Sequence, residues 1–153
     1  MDKDDIARAL HLASLLCVQF EGLRLAPYLC AAGVATIGLG STRYADGTAV
    51  QLTDPAISKE HAYALLDLTL RRDYLPAVLK LCPGADTPER VAALTDFAYN
   101  LGTGALKAST LRKRVNAGDW DAVPGELRKW VRGGGRVLRG LVARREAEAA
   151  LCT

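Results

Sequence analysis

One stretch of this chain interrupts an otherwise helical sequence pattern, and it limits what the chain can fold into. Between Leu23 and Val50, a proline, several glycines and the turn Asp46-Gly47 separate short apolar runs such as VATIGL, a pattern typical of a small antiparallel sheet. No other part of the chain is rich in such signals. The sequence therefore predicts an α+β fold that is mostly helical, with its strands confined to one region.

Helices are predicted on both sides of this stretch, where apolar residues recur at three- and four-residue steps. The first covers residues 4–19. A long helix is expected to start after Ser58, whose side chain suits an N-cap, and to reach about Leu81, although Pro76 should perturb it or end it early. Four more helices, separated by glycines, are predicted at residues 88–100, 104–116, 120–131 and 137–151.

The length of 153 residues suits a single domain, residues 1–153. A chain of this size buries about 68–70% of its unfolded surface and needs no metal or disulfide to stabilise it. The long helix, about 59–81, is expected to join a small N-terminal lobe, about 20–58, which holds the sheet, to an all-helical C-terminal lobe, about 88–153.

The four cysteines, Cys17, Cys30, Cys82 and Cys152, show no CxxC spacing, so neither a zinc site nor a redox dithiol is indicated. The N-terminus opens with acidic residues, and its longest apolar run is far shorter than the ~18 residues of a membrane span. We therefore expect no signal peptide or anchor segment, and a soluble cytoplasmic protein with reduced thiols. The spacing leaves open whether Cys17 pairs with Cys30.

Three side chains capable of chemistry fall within sixteen positions at the start of the glycine-punctuated stretch. Eight residues separate Glu21 from Cys30, and five separate Cys30 from Thr36. Glu21 follows an apolar helix beside Phe20 and Leu23, and apolar neighbours favour the protonated form that a general acid needs. Taken singly, each residue also has an ordinary explanation: a solvated glutamate, a buried cysteine and a threonine packed in a sheet. No histidine lies near Cys30 in the sequence, so a papain-like pair is poorly supported.

The spacing Glu, eight residues, Asp or Cys, five residues, Thr resembles the active-site signature of the phage-type lysozymes, glycoside hydrolase family 24. Further motifs resemble that family in the right order along nearly the whole chain: EGLRLAPY, TIGLGST, YADGTAV, FAYNLGTGALKASTL, NAGDW and KWVRGGGRVLRGLVARREAEAAL. Because separate motifs agree, the chain is identified as a member of this family, in the cysteine variant of the signature. The resemblance implies a lysozyme-like fold in which helix 4–19 packs on the C-terminal lobe.

The resemblance also implies an activity. This is hydrolysis, without a cofactor or metal, of the β-1,4 bond between N-acetylmuramic acid and N-acetylglucosamine in peptidoglycan, for lysis of a bacterial host. Glu21 would protonate the departing glycosidic oxygen, while Cys30, at a position usually held by aspartate, and Thr36 would handle the water or the transition state. A thiol has an ordinary pKa of about 8.5 and is a poor base unless the site lowers it. The enzyme would reach the periplasm when a separate membrane protein, a holin, opens a path.

The same motifs imply contacts to the glycan, which we assign to Tyr28, Gly40, Tyr99, Asn100 and Ser109. For Tyr99, a place in the core is an equal expectation.

Two positions depart from the family pattern. Ser41 replaces the usual histidine, so the charge pairing that this histidine makes is missing. In some members an arginine pairs with the catalytic glutamate; Val142 stands at its place here, and Arg144 and Arg145 are the nearby substitutes.

The net charge of +3 hides an uneven distribution. From Lys107 to Arg145, eleven Lys and Arg face three acidic residues, which gives +8 and leaves −5 for the remainder. These basic helices are expected to contact an anionic envelope or membrane, and no recognition motif supports nucleic acid as a partner.

The last helix is amphipathic; it either touches lipid or, as we favour, packs across its lobe. Trp120 and Trp130 are expected at helical positions in the core, and the protein is expected to be a monomer.

Two rival functions use parts of the same pattern. A lytic transglycosylase would employ the same glutamate without water and leave an anhydro sugar, whereas a water-positioning Thr36 favours hydrolysis. A non-catalytic module that binds peptidoglycan or nucleic acid would have no need of Glu21 or Thr36.

Overall fold

The computed structural model describes residues Met1–Thr153 as eight α-helices and two pairs of short antiparallel strands. The elements in chain order are α1 (Lys3–Phe20), β1 (Arg24–Leu29), β2 (Ala35–Gly38), α2 (Lys59–Thr69), α3 (Leu75–Leu81), α4 (Pro88–Leu101), α5 (Thr103–Ala108), α6 (Thr110–Asn116), α7 (Val123–Arg128), β3 (Arg132–Gly133), β4 (Arg136–Val137) and α8 (Arg139–Leu151).

The glycine-punctuated stretch forms the predicted sheet. β1 and β2 pair antiparallel, with Tyr28 opposite Thr36, and two isolated bridges continue the irregular structure towards residue 49. The turn at Asp46-Gly47 forms as expected, because Gly47 adopts a φ of +87°, which other residues rarely reach. The predicted α+β class with a small antiparallel sheet is therefore confirmed.

The main hydrophobic core surrounds α4, in which every residue from Val91 to Ala98 is buried. α1, α3 and α8 all pack against this helix, so α4 is the central element of the larger part of the molecule. A separate small cluster of Ile37, Val50 and Leu65 lies between the sheet and α2. Each fully buried aliphatic or aromatic side chain in these clusters stabilises the fold by roughly 1.5–3 kcal/mol.

The long helix from α2 to α3 runs without a break but widens in the middle. Ser58 caps it as predicted, since its hydroxyl accepts a hydrogen bond from the His61 N–H at 3.0 Å. Residues Leu70–Tyr74 form a π-helical turn, in which the N–H of Leu75 reaches back five residues to the carbonyl of Leu70. Pro76 has no N–H to donate, so the perturbation expected from it takes the form of this wider turn and not of an early end.

The prediction of an all-helical C-terminal lobe is wrong at one place. Residues 132–137 form a hairpin of β3 and β4, and Gly134 and Gly135 make its turn with φ values of +59° and +81°. The sequence pattern predicts the three consecutive glycines as a separator between helices, but two of them supply the positive φ angles that a tight hairpin turn needs.

Two predicted helices in this region also have different bounds. The predicted helix 104–116 is broken into α5 and α6 at Ser109, which is extended, donates to the Leu106 carbonyl at 2.7 Å and accepts from the Arg112 N–H at 3.0 Å. The predicted helix 120–131 shrinks to α7. Trp120 and Trp130 therefore lie in the turns on either side of α7, where both are half-buried against the main core.

The buried face of α8 carries charge. Arg144, Arg145 and Glu148 are buried where α8 packs against α4 and α7. Arg144 and Arg145 therefore do not belong to the basic surface in which the sequence pattern placed them. No helix of the chain combines the length and the apolar composition that a membrane-crossing segment requires.

Candidate active site

Glu21 lies at the end of α1, where the chain leaves the helix. Its N–H still donates to the Cys17 carbonyl at 2.8 Å, but its own backbone is extended, with φ −87° and ψ 132°. The side chain is 22% exposed, and its Oε1 accepts a hydrogen bond from Nη1 of Arg144 at 2.9 Å. The helix thus presents one carboxyl at the border between the core and solvent.

Gly40, just after β2, brings the backbone against this carboxyl. A Cβ at this position would lie 3.1 Å from the Tyr99 hydroxyl and 3.3 Å from Oε2 of Glu21, and the residue has a φ of +88°. Tyr99 donates its hydroxyl to the Leu39 carbonyl at 2.6 Å, and burial followed by the charges of neighbouring groups raises its pKa. Only glycine fits this close approach without strain.

Two cavities border the residues around Glu21. One of about 450 Å³ is lined by Gly40, Tyr99 and polar residues that include Arg43 and Arg72. The other, of about 370 Å³, is lined by Glu21 itself together with Phe20, Asn100, Leu138, Leu141 and Arg144. Because Gly40 lies beside Oε2 of Glu21, both cavities border the surroundings of this carboxyl.

Cys30 and Thr36 lie on the β1–β2 hairpin and line neither of these cavities. The backbone N–H of Val34, then that of Ala32 and the Thr36 hydroxyl, lower the pKa of the half-exposed Cys30 thiol. Thr36 is buried, and its hydroxyl donates to the Val34 carbonyl at 2.8 Å. Cys30 and Thr36 thus lie together on one hairpin, while Glu21 lies at the end of α1.

Tyr28 connects the hairpin with Glu21. It is half-buried, with the Arg24 guanidinium 4.4 Å from the centre of its ring. Burial, and then the charge of Glu21, raise the pKa of Tyr28, and the charge of Cys30 acts in the same direction. Its phenol therefore lies within electrostatic range of both groups.

Arg144 joins Glu21 to the buried Asp96. Its Nε and Nη2 donate to the two carboxylate oxygens of Asp96 at 2.9 and 2.7 Å, while Nη1 donates to Glu21. Burial disfavours the charged guanidinium, but Asp96 and Glu21 together outweigh it and raise the pKa of Arg144. Asp96 also accepts a hydrogen bond from the Cys17 thiol at 3.3 Å.

Arg145, the other predicted partner of Glu21, points elsewhere. Its Nε lies 2.8 Å from Oε1 of Glu148, and its Nη2 donates to Oδ1 of Asn100 at 2.7 Å. Burial, and then Asp96, raise the pKa of Glu148 well above its usual value. The protonated form of Glu148 is therefore favoured.

The structure brings four of the predicted site residues into contact: Glu21, Gly40, Tyr99 and Arg144. Asn100 reaches the second cavity, while Ser109 lies outside both, buried as the cap of α6.

Asp96 is a site residue that was not predicted from the sequence. The available signal was a lone acid within the apolar run of the predicted helix 88–100, since an unpaired buried carboxylate is unfavourable and implies a cation nearby.

Comparisons with known proteins agree on one family. Residues 18–148 match the family model described as phage lysozyme. The chain is 38% identical over 136 residues to the endolysin of Bacillus phage B103, a match that covers 89% of this chain and only 50% of that endolysin, so the chain spans half of that relative's length.

Solved structures give the same result. The endolysin from Escherichia coli O157:H7 phage FAHEc1 superposes with a TM-score of 0.76 at 31% identity, covering 94% of this chain and 89% of that one. The muramidase domain of SpmX from Asticaccaulis excentricus is 28% identical, with a TM-score of 0.76, and the match covers 91% of this chain and 92% of that one.

Proposed function

Because the chain belongs to the phage lysozyme family, we propose that it is an endolysin of glycoside hydrolase family 24 that degrades peptidoglycan for lysis of a bacterial host. Its specific activity is that of a muramidase, which hydrolyses the β-1,4 bond between N-acetylmuramic acid and N-acetylglucosamine. The observation that carries this proposal is the position of Glu21, a partly exposed carboxyl that lines one cavity, lies beside the Gly40 of another and contacts one buried arginine.

Glu21 acts as the general acid. Cleavage of a glycosidic bond needs a proton on the departing oxygen, because an alkoxide is a poor leaving group. Oε1 accepts from Arg144, while Oε2, which no arginine contacts, lies beside Gly40 and is the oxygen that presents the proton. Arg144 stabilises the carboxylate that remains after the proton has been transferred.

Cys30 and Thr36 act on the attacking water or on the oxocarbenium-like transition state, and not on the departing oxygen. The hairpin supports this assignment because the backbone N–H groups of Val34 and Ala32 favour the ionised form of the thiol, in which sulfur can accept a proton or stabilise positive charge. Thr36 holds its hydroxyl in a fixed position through Val34 and orients the water.

The glycan strand lies across both cavities. Tyr28 and Tyr99 offer aromatic surfaces, and Asn100 offers its amide nitrogen, since its oxygen is already bonded to Arg145. Gly40 leaves the space that the sugar needs beside Glu21. The position of Ser109 as a buried helix cap gives no support to its predicted glycan contact.

The partner of this enzyme is the peptidoglycan of a bacterial host. We propose that the protein acts as a monomer, without a cofactor, and that it is held in the host cytoplasm until a holin gives it access to the periplasm. The unpaired basic residues of the C-terminal helices favour approach to an anionic envelope or membrane.

A zymogram with purified cell wall, followed by mass spectrometry of the released muropeptides, tests the function. Glu21→Gln is expected to reduce lysis at least about 100-fold, because the amide has no proton to give. Glu60→Gln, at an exposed position on α2, is the matched control and should lyse like the wild type. A folded Glu21→Gln protein with normal lysis would contradict the proposal, and anhydro sugars in the products would show a lytic transglycosylase instead.

A further inference from the structure

The buried side of Arg144 carries an interaction that the proposed chemistry does not use. Asp96 lies in the middle of α4, is fully buried, and accepts two hydrogen bonds from the same guanidinium that contacts Glu21. Glu21 is 22% exposed at the end of a helix, so its side chain has more freedom than that of Asp96. Asp96 therefore orients the planar guanidinium, and this orientation determines that Nη1 points at Glu21.

On this arrangement, and resting on the proposed function, we propose that Asp96 is a positioning residue for the general acid. It fixes the plane of Arg144 so that Nη1 points at Glu21, and it shares the arginine's positive charge, which weakens the attraction of Arg144 for the Glu21 carboxylate.

The charges around the two carboxyls support the second half of this proposal. Asp96 is faced by Arg144, Arg145 and Glu148 from α8 and by Cys17 from α1. Burial alone would raise the pKa of Asp96, but hydrogen bonds from Glu148 and Arg144 hold it below its usual value, so Asp96 stays ionised.

Glu21 is faced by Arg144 from α8, by Tyr28 from β1, by Tyr99 from α4 and by the buried Cys17 thiol of its own helix. Arg144 is the only cation paired with it. An arginine left to Glu21 alone would favour the carboxylate, which cannot act as an acid. An arginine already neutralised by Asp96 attracts the Glu21 charge less strongly.

Asp96→Asn tests this directly, because the side chain keeps its shape but loses its charge. The alkaline limb of the pH–rate profile is expected to move about one pH unit lower, since Arg144 then acts on Glu21 alone. At neutral pH kcat should fall about tenfold while KM changes little. Glu126→Gln removes a carboxyl of the same lobe that pairs with Lys129, and it should leave the limb in place. A merely structural role for Asp96 would lower stability without moving the limb, and that result would overturn the proposal.

A second readout does not depend on turnover. With ¹³C-labelled glutamate, the Glu21 carboxyl signal is identified by its loss in Glu21→Gln. In Asp96→Asn this signal is expected to titrate about one pH unit lower than in the wild type. A wild-type protein inactive on every cell wall would refute the proposed function, while an unchanged titration would refute the role of Asp96.

Asp96→Glu serves if Asp96→Asn does not fold. It keeps the charge, but its longer side chain displaces the two paired oxygens. We expect kcat to fall about tenfold with the limb unmoved, because orientation is lost and charge is retained. A wild-type kcat in this variant would overturn the positioning role.

Discussion

The ionisation of Cys30 sets the acidic end of the pH range in which the proposed reaction runs. Its thiol sits on the hairpin beside the N–H groups of Val34 and Ala32, which lower its pKa. A carboxylate at the same position would be ionised from about pH 4 upward, whereas an ordinary thiol loses its proton only near about pH 8.5. The activity of the wild-type enzyme should therefore rise with pH, along the acidic limb of the pH–rate profile, over the range in which this thiol ionises.

Cys30→Asp is expected to move that acidic limb to lower pH, and Cys30→Ala to reduce the rate at least about tenfold. Initial rates of lysis between pH 5 and 9 measure both effects. Cys82→Ala, in the main core, is the control, because it should change stability and not the pH profile. Equal rates and equal profiles for Cys30→Ala and the wild type would remove Cys30 from the mechanism.

α8 is the element whose role the sequence pattern conveys least well. Its buried face places Arg144, Arg145 and Glu148 against α4, where a packed helix normally presents apolar groups. The cluster contains two guanidiniums and three carboxyls, counting Glu21 and Asp96. Burial, and then Asp96, raise the pKa of Glu148, so its neutral form is favoured and fewer charges have to be buried on this face.

The burial of α8 predicts a dependence of stability on pH. The pKa of Glu148 is higher in the folded protein than in the unfolded chain. Its contribution to stability is therefore complete at pH values below the pKa of the unfolded chain, and it is lost as pH rises through the pKa of the folded protein. The loss is at most about 1.4 kcal/mol for each pH unit. Glu148→Gln cannot ionise, so its free energy of unfolding, measured by urea denaturation from pH 6 to 9, should decline less than that of the wild type. Parallel curves for the two proteins would contradict this.

The elements that were predicted correctly are determined by residues that are close together in the sequence. Ser58 caps α2 through a residue three positions away, and Gly47 supplies its own turn geometry. Where the cause lies far away in the sequence, prediction failed or stopped short. Glu21 and Arg144 are 123 residues apart, and periodicity contains no information on such a pairing. Ser109 breaks a helix through hydrogen bonds that an unbroken helical pattern accommodates equally well.

The charge of the whole molecule is less concentrated on its surface than the sequence suggests. Of the basic residues from Lys107 to Arg145, two are buried in the α8 cluster, and Arg114, Arg128 and Lys129 pair with acids. The basic residues without an ion pair are Lys107, Arg112, Lys113, Arg132, Arg136 and Arg139. These remain available to attract an anionic envelope at long range.

Lysis is therefore expected to slow as salt rises, because the screening length falls from about 10 Å at 0.1 M to about 3 Å at 1 M. Replacing Lys107 and Lys113 together by Gln should slow lysis several-fold at low salt and have little effect at high salt. Lys59→Gln, on α2, is the matched control. A lysis rate that stays flat from 0.01 to 1 M salt would show that steering plays no part.

The contact between Glu21 and Arg144 also has a consequence for synthesis of the protein on the ribosome. α1 is translated first, yet it packs against α4 and α8, and α8 is translated last. A nascent chain therefore carries the acid of the proposed reaction long before the arginine that supports it exists. The final helix completes the core and the contact with Glu21 at the same time, so an unfinished or prematurely terminated chain is expected to have neither the stable fold nor the lytic activity.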